Sequence, residues 1–101
     1  MVALLGAMGA GCATYKDDIS KLCDAPARSG ASAHPEFSPA DRATVAAAWA
    51  DGNLSTSEGK ALLHSLPSLS PPERAQKLRD AAKTQGLDRC DFADIFATPA
   101  K

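Results

Sequence analysis

The sequence predicts an all-α fold, a small bundle of about four to five short helices, and three observations carry that expectation. The 101 residues include 21 Ala and 10 Leu against only four Val and Ile together, a balance that favours helix over sheet. Helix-start chemistry recurs at Thr14, Ser38, Ser55 and Ser70, each with Asp or Glu three residues later. Apolar residues after these starts fall three and four apart, as one face of a helix requires.

Each element follows from its own signals. The first helix, about Tyr15 to Asp24, opens with Thr14 and Asp17 in capping-box spacing and places Tyr15, Ile19, Leu22 and Cys23 on one face. Asp17 and Asp18 sit in its first turn, where acids complement the helix dipole. From Ala25 to Phe37 there is no period, and Pro26, Gly30 and Pro35 read as a connecting loop. Ser38-Pro39-Ala40-Asp41 supplies a cap, a proline at the first helical position and an acid, so a second helix runs to about Ala50 with Val45 and Trp49 inward. Ser55-Thr56-Ser57-Glu58 opens a third, which presents Leu62, Leu63 and Leu66 before Pro67 ends it. Ser70-Pro71-Pro72-Glu73 opens a fourth, with Ala75, Leu78, Ala81 and Ala82 inward. It closes at Gly86-Leu87, a glycine C-cap with its hydrophobic follower. A closing segment, Asp88 to Phe96, carries Cys90, Phe92, Ile95 and Phe96 as a docked helical turn, with Asp91 and Asp94 at a helix start. Residues 98–101 form a fraying tail.

The N-terminus reads as an address. Met1 to Gly11 is uncharged and apolar, while Tyr15-Lys16-Asp17-Asp18 is polar. Eleven residues are too few to span a bilayer as a helix, which takes about 20, but they suit a signal-peptide core. The run ends in Gly9-Ala10-Gly11-Cys12, which resembles the lipobox of bacterial lipoproteins. In a lipobox the Cys is lipidated and becomes the new N-terminus. Two departures stand out: Gly9 occupies the usual Leu position, and no Lys or Arg precedes the run, as if a basic region lay upstream of Met1. A conventional cleaved signal and a buried apolar helix are the other readings. The lipobox reading divides the chain into a signal segment 1–11, one helical domain 12–97 and the tail.

Cysteine counting agrees with export. Assigning Cys12 to lipid leaves Cys23 and Cys90, 67 positions apart, as a pair tying the first helix to the last. The alternative is two buried free thiols in a cytosolic protein. Neither lies in a C-x-x-C spacing, which argues against a catalytic dithiol.

Candidate sites are sparse. Asp51-Gly52-Asn53-Leu54-Ser55-Thr56-Ser57-Glu58 aligns with the second half of an EF-hand loop, with Asp51, Asn53, Ser55 and Glu58 at ligand positions. Positions one and three would be Ala47 and Trp49, so two ligands are missing, and a helix-ending turn followed by a capping box accounts for the same residues. His34 and His64 are far apart in sequence and lack zinc spacing. No G-x-S-x-G or glycine-rich phosphate loop occurs. Arg74, Lys77, Arg79 and Lys83 alternate with Glu73 and Asp80, as on a solvated face. A net charge of −1 with no concentrated basic face argues against nucleic acid. At 45% hydrophobic and 23% charged, the chain is neither a polytopic membrane protein nor a charged disordered tail.

Cys23-Asp24-Ala25, Ser29-Gly30-Ala31, Ser70-Pro71-Pro72-Glu73-Arg74 and Gly86-Leu87-x-x-Cys90-x-x-Ala93-Asp94 together resemble small lipoproteins of myxobacteria and related predatory bacteria. The resemblance covers the flanks and the fourth helix and implies an exported, Cys-paired helical scaffold without naming an activity. Where that pattern commonly has Pro-Leu after the second Cys, this chain has Asp91-Phe92.

The expected function is therefore a lipid-anchored interaction module on the periplasmic face of the inner or outer membrane. It would have no intrinsic catalysis and no cofactor, and would contact the membrane through its lipid and an envelope protein through whichever of Phe37, Trp49 and Phe96 is exposed. The alternative is a small-ligand or metal carrier with a pocket between helices.

Overall fold

The computed structural model describes residues 14–97, and these are helical with no strand. The expected signal segment 1–11, the lipid site Cys12 and the tail 98–101 lie outside them. Six α-helices follow in order: α1 (Tyr15–Cys23), α2 (Ala25–Arg28), α3 (Pro39–Asp51), α4 (Ser57–Ser65), α5 (Pro71–Thr84) and α6 (Asp91–Ala97). Single 3₁₀ turns occupy Ala31–Ala33 and Leu66–Ser68.

Local chemistry sets most of the boundaries. Thr14 Oγ1 accepts the Asp17 amide at 3.1 Å while Asp17 Oδ2 accepts the Thr14 amide at 3.2 Å, a reciprocal capping box at the start of α1. Ser38 accepts the Asp41 amide at 3.1 Å before Pro39, and Ser70 and Glu73 repeat the full box at α5. Gly86, at φ 77°, ends α5 in the left-handed conformation, which a side chain would strain. The Leu87 amide then reaches Ala82 O at 2.8 Å and the Gly86 amide reaches Lys83 O at 3.0 Å, the paired bonds of a Schellman motif.

The core is built from small and medium side chains. Ile19 and Leu22 from α1, Leu62 and Leu63 from α4, Leu78 from α5 and Phe92 from α6 meet around Ala46, Ala50, Ala75, Ala82 and Ala93. Phe92 is fully buried and is the largest side chain at the centre. Cys23 and Cys90 form the expected disulfide, joining the end of α1 to the residue before α6. Closing a loop of that length contributes roughly 4 kcal/mol in the chain-entropy model.

Four sequence expectations are corrected. The stretch after Cys23 is not loop throughout: α2 and the 3₁₀ turn at Ala31–Ala33 occupy it, with Ala25 and Ala31 fully buried. Pro26 stands in the first turn of α2, where its missing N–H has no helical partner to lose. In α3 the innermost residues are Ala46 and Ala50, while Val45 and Trp49 are half-buried. The closing segment is a two-turn helix, not one turn. The start of α4 is shifted by one residue: its cap is Thr56, whose Oγ1 accepts the Gly59 amide at 3.0 Å, and Glu58 is exposed.

The reason for that shift is Asp18. Its place in the first turn of α1 predicted a surface acid, yet Asp18 is fully buried. Its carboxylate accepts the Ser55 amide at 3.0 and 3.1 Å, the Thr56 amide at 2.7 Å and the Thr56 hydroxyl at 2.6 Å. One α1 side chain thus binds the chain entering α4, 37 and 38 positions away. Lys21, one turn on, donates from Nζ to Asn53 O at 3.3 Å, so α1 grips the same turn twice. Burial by itself would raise the pKa of Asp18, because it disfavours the charged form. The Thr56 hydroxyl, the Ser55 and Thr56 amides and the Lys21 charge together outweigh it and hold the carboxyl below its ordinary 3.8.

Gly59 completes the joint. A Cβ at this position would lie 2.8 Å from the Asp18 Cβ and 2.9 Å from its Cγ, too close for any real side chain. Ala is the better helix former by about 1 kcal/mol, so Gly59→Ala would stabilise an ordinary helix. Here it is expected to lower the melting temperature, and an unchanged or higher value by circular dichroism would contradict the joint. Asp18→Ala, which leaves two part-buried amides and a hydroxyl without their acceptor, is expected to cost about 1–3 kcal/mol in urea unfolding. Because the folded carboxyl is the stronger acid, the Asp18 contribution is complete above the unfolded value near 3.9 and is lost as pH falls through the lower folded value. The Asp18→Ala variant should accordingly show a shallower loss of stability than the parent chain as pH falls below about 4. For the disulfide, Cys23→Ser with Cys90→Ser should lower stability by about 4 kcal/mol, and an unmoved urea midpoint would contradict that contribution.

Candidate functional site

Helix α3 is apolar on two sides, one buried in the core and the other only partly covered by it. Ala46 and Ala50 pack inward, whereas Pro39, Ala40, Ala43, Thr44 and Ala47 repeat at three and four residues along a second side. That side forms one wall of a groove of about 590 Å³. Leu63 of α4, Leu66 and Pro67 of the 3₁₀ turn after it, Pro71 and Pro72 at the start of α5, and Ile95, Phe96 and Ala97 of α6 line the rest. The groove is partly open to solvent.

One charged side chain lines it. Arg74 donates from Nε to Leu66 O at 2.7 Å and from Nη2 to Pro67 O at 3.2 Å, and its guanidinium carbon lies 5.5 Å from the centre of the Phe96 ring. These contacts fix the guanidinium against carbonyls of the 3₁₀ turn that follows α4 and over an aromatic face. They use two of its five N–H donors. Arg28, Arg79 and Arg89 pair with Asp24, Asp94 and Asp91, but no carboxylate pairs with Arg74 among the described residues. Arg74 had read as part of a solvated face. Its signal in the sequence was its position one turn into a proline-started helix, where it can reach back to the preceding turn.

The three aromatic residues expected at a contact surface are all half-buried, and only Phe96 lines the groove. Phe37 stacks on His34 with ring centres 4.6 Å apart, and Trp49 packs against the core. A second depression of about 260 Å³ lies over the disulfide, between Ser20, Asp24, Leu87, Arg89 and Asp91. Its acids are engaged by Arg28 and Arg89.

The degenerate calcium loop is used for other bonds. Asp51 Oδ1 lies 2.7 Å from His64 Nε2, Asn53 Nδ2 donates to Trp49 O at 2.7 Å, and the Ser55 amide is held by Asp18. Glu58 is exposed. His34 lies 2.9 Å from Glu36, so each histidine has a single carboxylate neighbour. Among the described residues no three His, Cys, Asp or Glu side chains gather to hold a metal. Adding millimolar calcium is therefore expected to leave the melting temperature unchanged, and a rise of several degrees would restore the loop as an ion site.

Comparisons with protein-family models, with curated proteins and with solved structures found no match to this chain.

Proposed function

We propose that this chain is an exported, lipid-anchored helical module of the cell envelope that works through contacts made in the α3 groove and has no intrinsic catalysis. The observation that carries the interaction reading is the groove itself: an open apolar surface with one fixed cation, of the kind that marks a binding site on a small domain. Export is supported by the Cys23–Cys90 bridge, since disulfides persist chiefly in oxidising compartments, and by the lipobox-like Gly9-Ala10-Gly11-Cys12.

The two features fit together geometrically. Only Ala13 separates Cys12 from Thr14, the cap of α1. At about 3.5 Å per residue, that tether keeps the start of α1 within about 7 Å of a lipid on Cys12. The Asp18 joint sets the start of α4 beside α1, and the groove is walled by the other end of α4. Nine residues of helix separate these ends by about 13 Å.

The small-ligand carrier draws support from the same groove, whose volume lies within the roughly 300–1,000 Å³ of ligand sites. Its partial openness weighs against that reading, because such sites bury about 70–90% of their ligand. Labelled palmitate is expected to enter the chain in its native host, with Cys12→Ala abolishing the label and moving the protein from the membrane to the soluble fraction. A parent chain that takes up no label, or a variant that fractionates as before, would contradict the anchor.

A further inference from the structure

We infer that the groove receives an amphipathic helix of a partner protein, which lays its apolar face along α3 and sets one carboxylate on Arg74. The inference rests on the reading of the groove as the contact face and names what fills it.

The shape of the groove selects the occupant. An acyl chain lying in a groove partly open to solvent would keep some of its apolar surface in water. An amphipathic helix supplies its own polar face to the solvent and buries only its apolar stripe. The α3 wall suits a helix: three of its five lining residues, Ala40, Ala43 and Ala47, project only a methyl, so a second helix axis can pack within the usual range of about 8–10 Å. Ala40 to Ala47 covers about 10.5 Å, two turns, which matches anchors at i, i+3 or i+4, and i+7 on the incoming helix.

Charge fixes the second requirement. Arg74 is the one charged side chain lining the groove, it is held in place by two carbonyls and the Phe96 ring, and three of its N–H donors remain for a partner. Covering it with a purely apolar face would strip water from a cation that no described carboxylate neutralises, which disfavours binding. A partner with Asp or Glu at the edge of its apolar stripe removes that cost and gains charge-assisted bonds.

The test uses the full disulfide-bonded chain as bait for a displayed library of helical peptides randomised on one face. The expected binders carry apolar residues at i, i+3 or i+4, and i+7, with one acid at the stripe's edge. Ala43→Gln, which fills the groove without touching the bonds of Arg74, should weaken them at least tenfold. Arg74→Gln and replacement of the peptide acid by Gln should each cost about tenfold, and the two together little more than either alone. Circular dichroism of both protein variants confirms that they are folded, and Ala43→Gln keeps the test decisive if Arg74→Gln is not. Failure to recover any binder, or binders indifferent to Ala43→Gln, would overturn both the groove as contact face and the helix. Binders sensitive to Ala43→Gln but indifferent to Arg74 and to the acid would overturn the charged anchor alone. Dodecanoate binding that Ala43→Gln abolishes, with no peptide binder found, would leave the groove as a site and overturn the helical occupant.

Discussion

A single buried carboxylate organises this small domain. Asp18 leaves the first turn of α1, where an acid ordinarily meets water, and instead receives two backbone amides and a hydroxyl from the segment that starts α4. A charge in an interior is tolerable only when its hydrogen-bonding capacity is filled, and here the donors come from a helix N-terminus, the end of a helix that favours negative charge. The chain satisfies both needs with one contact: the desolvation penalty of the carboxylate is outweighed, and the Ser55 and Thr56 amides just before α4 gain their acceptor. Gly59 follows as a geometric requirement, since the helix can come this close only without a side chain there.

The joint also determines the far end of the molecule. Asp18 and Lys21 fix the entrance to α4, so the direction of α4 fixes where Leu66 and Pro67 present their carbonyls. Those two carbonyls orient Arg74, and Arg74 with Phe96 lines the groove. The disulfide supplies the complementary restraint by holding α6, which carries Phe96, to the end of α1. With six alanines among the buried core residues, packing defines helix positions less sharply than a core of large side chains throughout. Polar and covalent restraints between α1 and the later helices fill that role.

What the sequence disclosed divides along physical lines. Boundaries set by chemistry within four residues were legible: the boxes at Thr14 and Ser70, the Ser38-Pro39 start and the Gly86 cap all occur as their residues imply. The disulfide was legible by counting, because three cysteines with one assigned elsewhere leave one pair. Asp18 was not legible, since its partners lie 37 and 38 residues away and the local reading of an acid in a first turn is complete without them. The same long-range bond displaced the α4 cap: Ser55 and Glu58 match a capping box locally, but the Ser55 amide is engaged by Asp18, and Thr56 takes over the cap. Pro26 and Gly30 read as loop because each can break a helix. In the fold Pro26 starts α2, and Gly30, at φ 86°, separates it from the next turn. The groove was hidden for a different reason. Alanine carries no mark of whether it faces a core, water or a partner, so the two apolar sides of α3 looked like one.

The measurement that bears most directly on this account is native-state hydrogen exchange at the Ser55 and Thr56 amides. Both residues lie outside regular helix, and Ser55 is exposed as a residue, so ordinary loop amides would exchange within the range of local fraying. If the Asp18 carboxylate is the joint on which α4 depends, these two amides are protected to the level of the α1 and α5 core and lose that protection together in Asp18→Ala. Rapid exchange at both positions in the parent chain, with the core protected, would show that α4 is held by packing alone and would contradict the central role of Asp18.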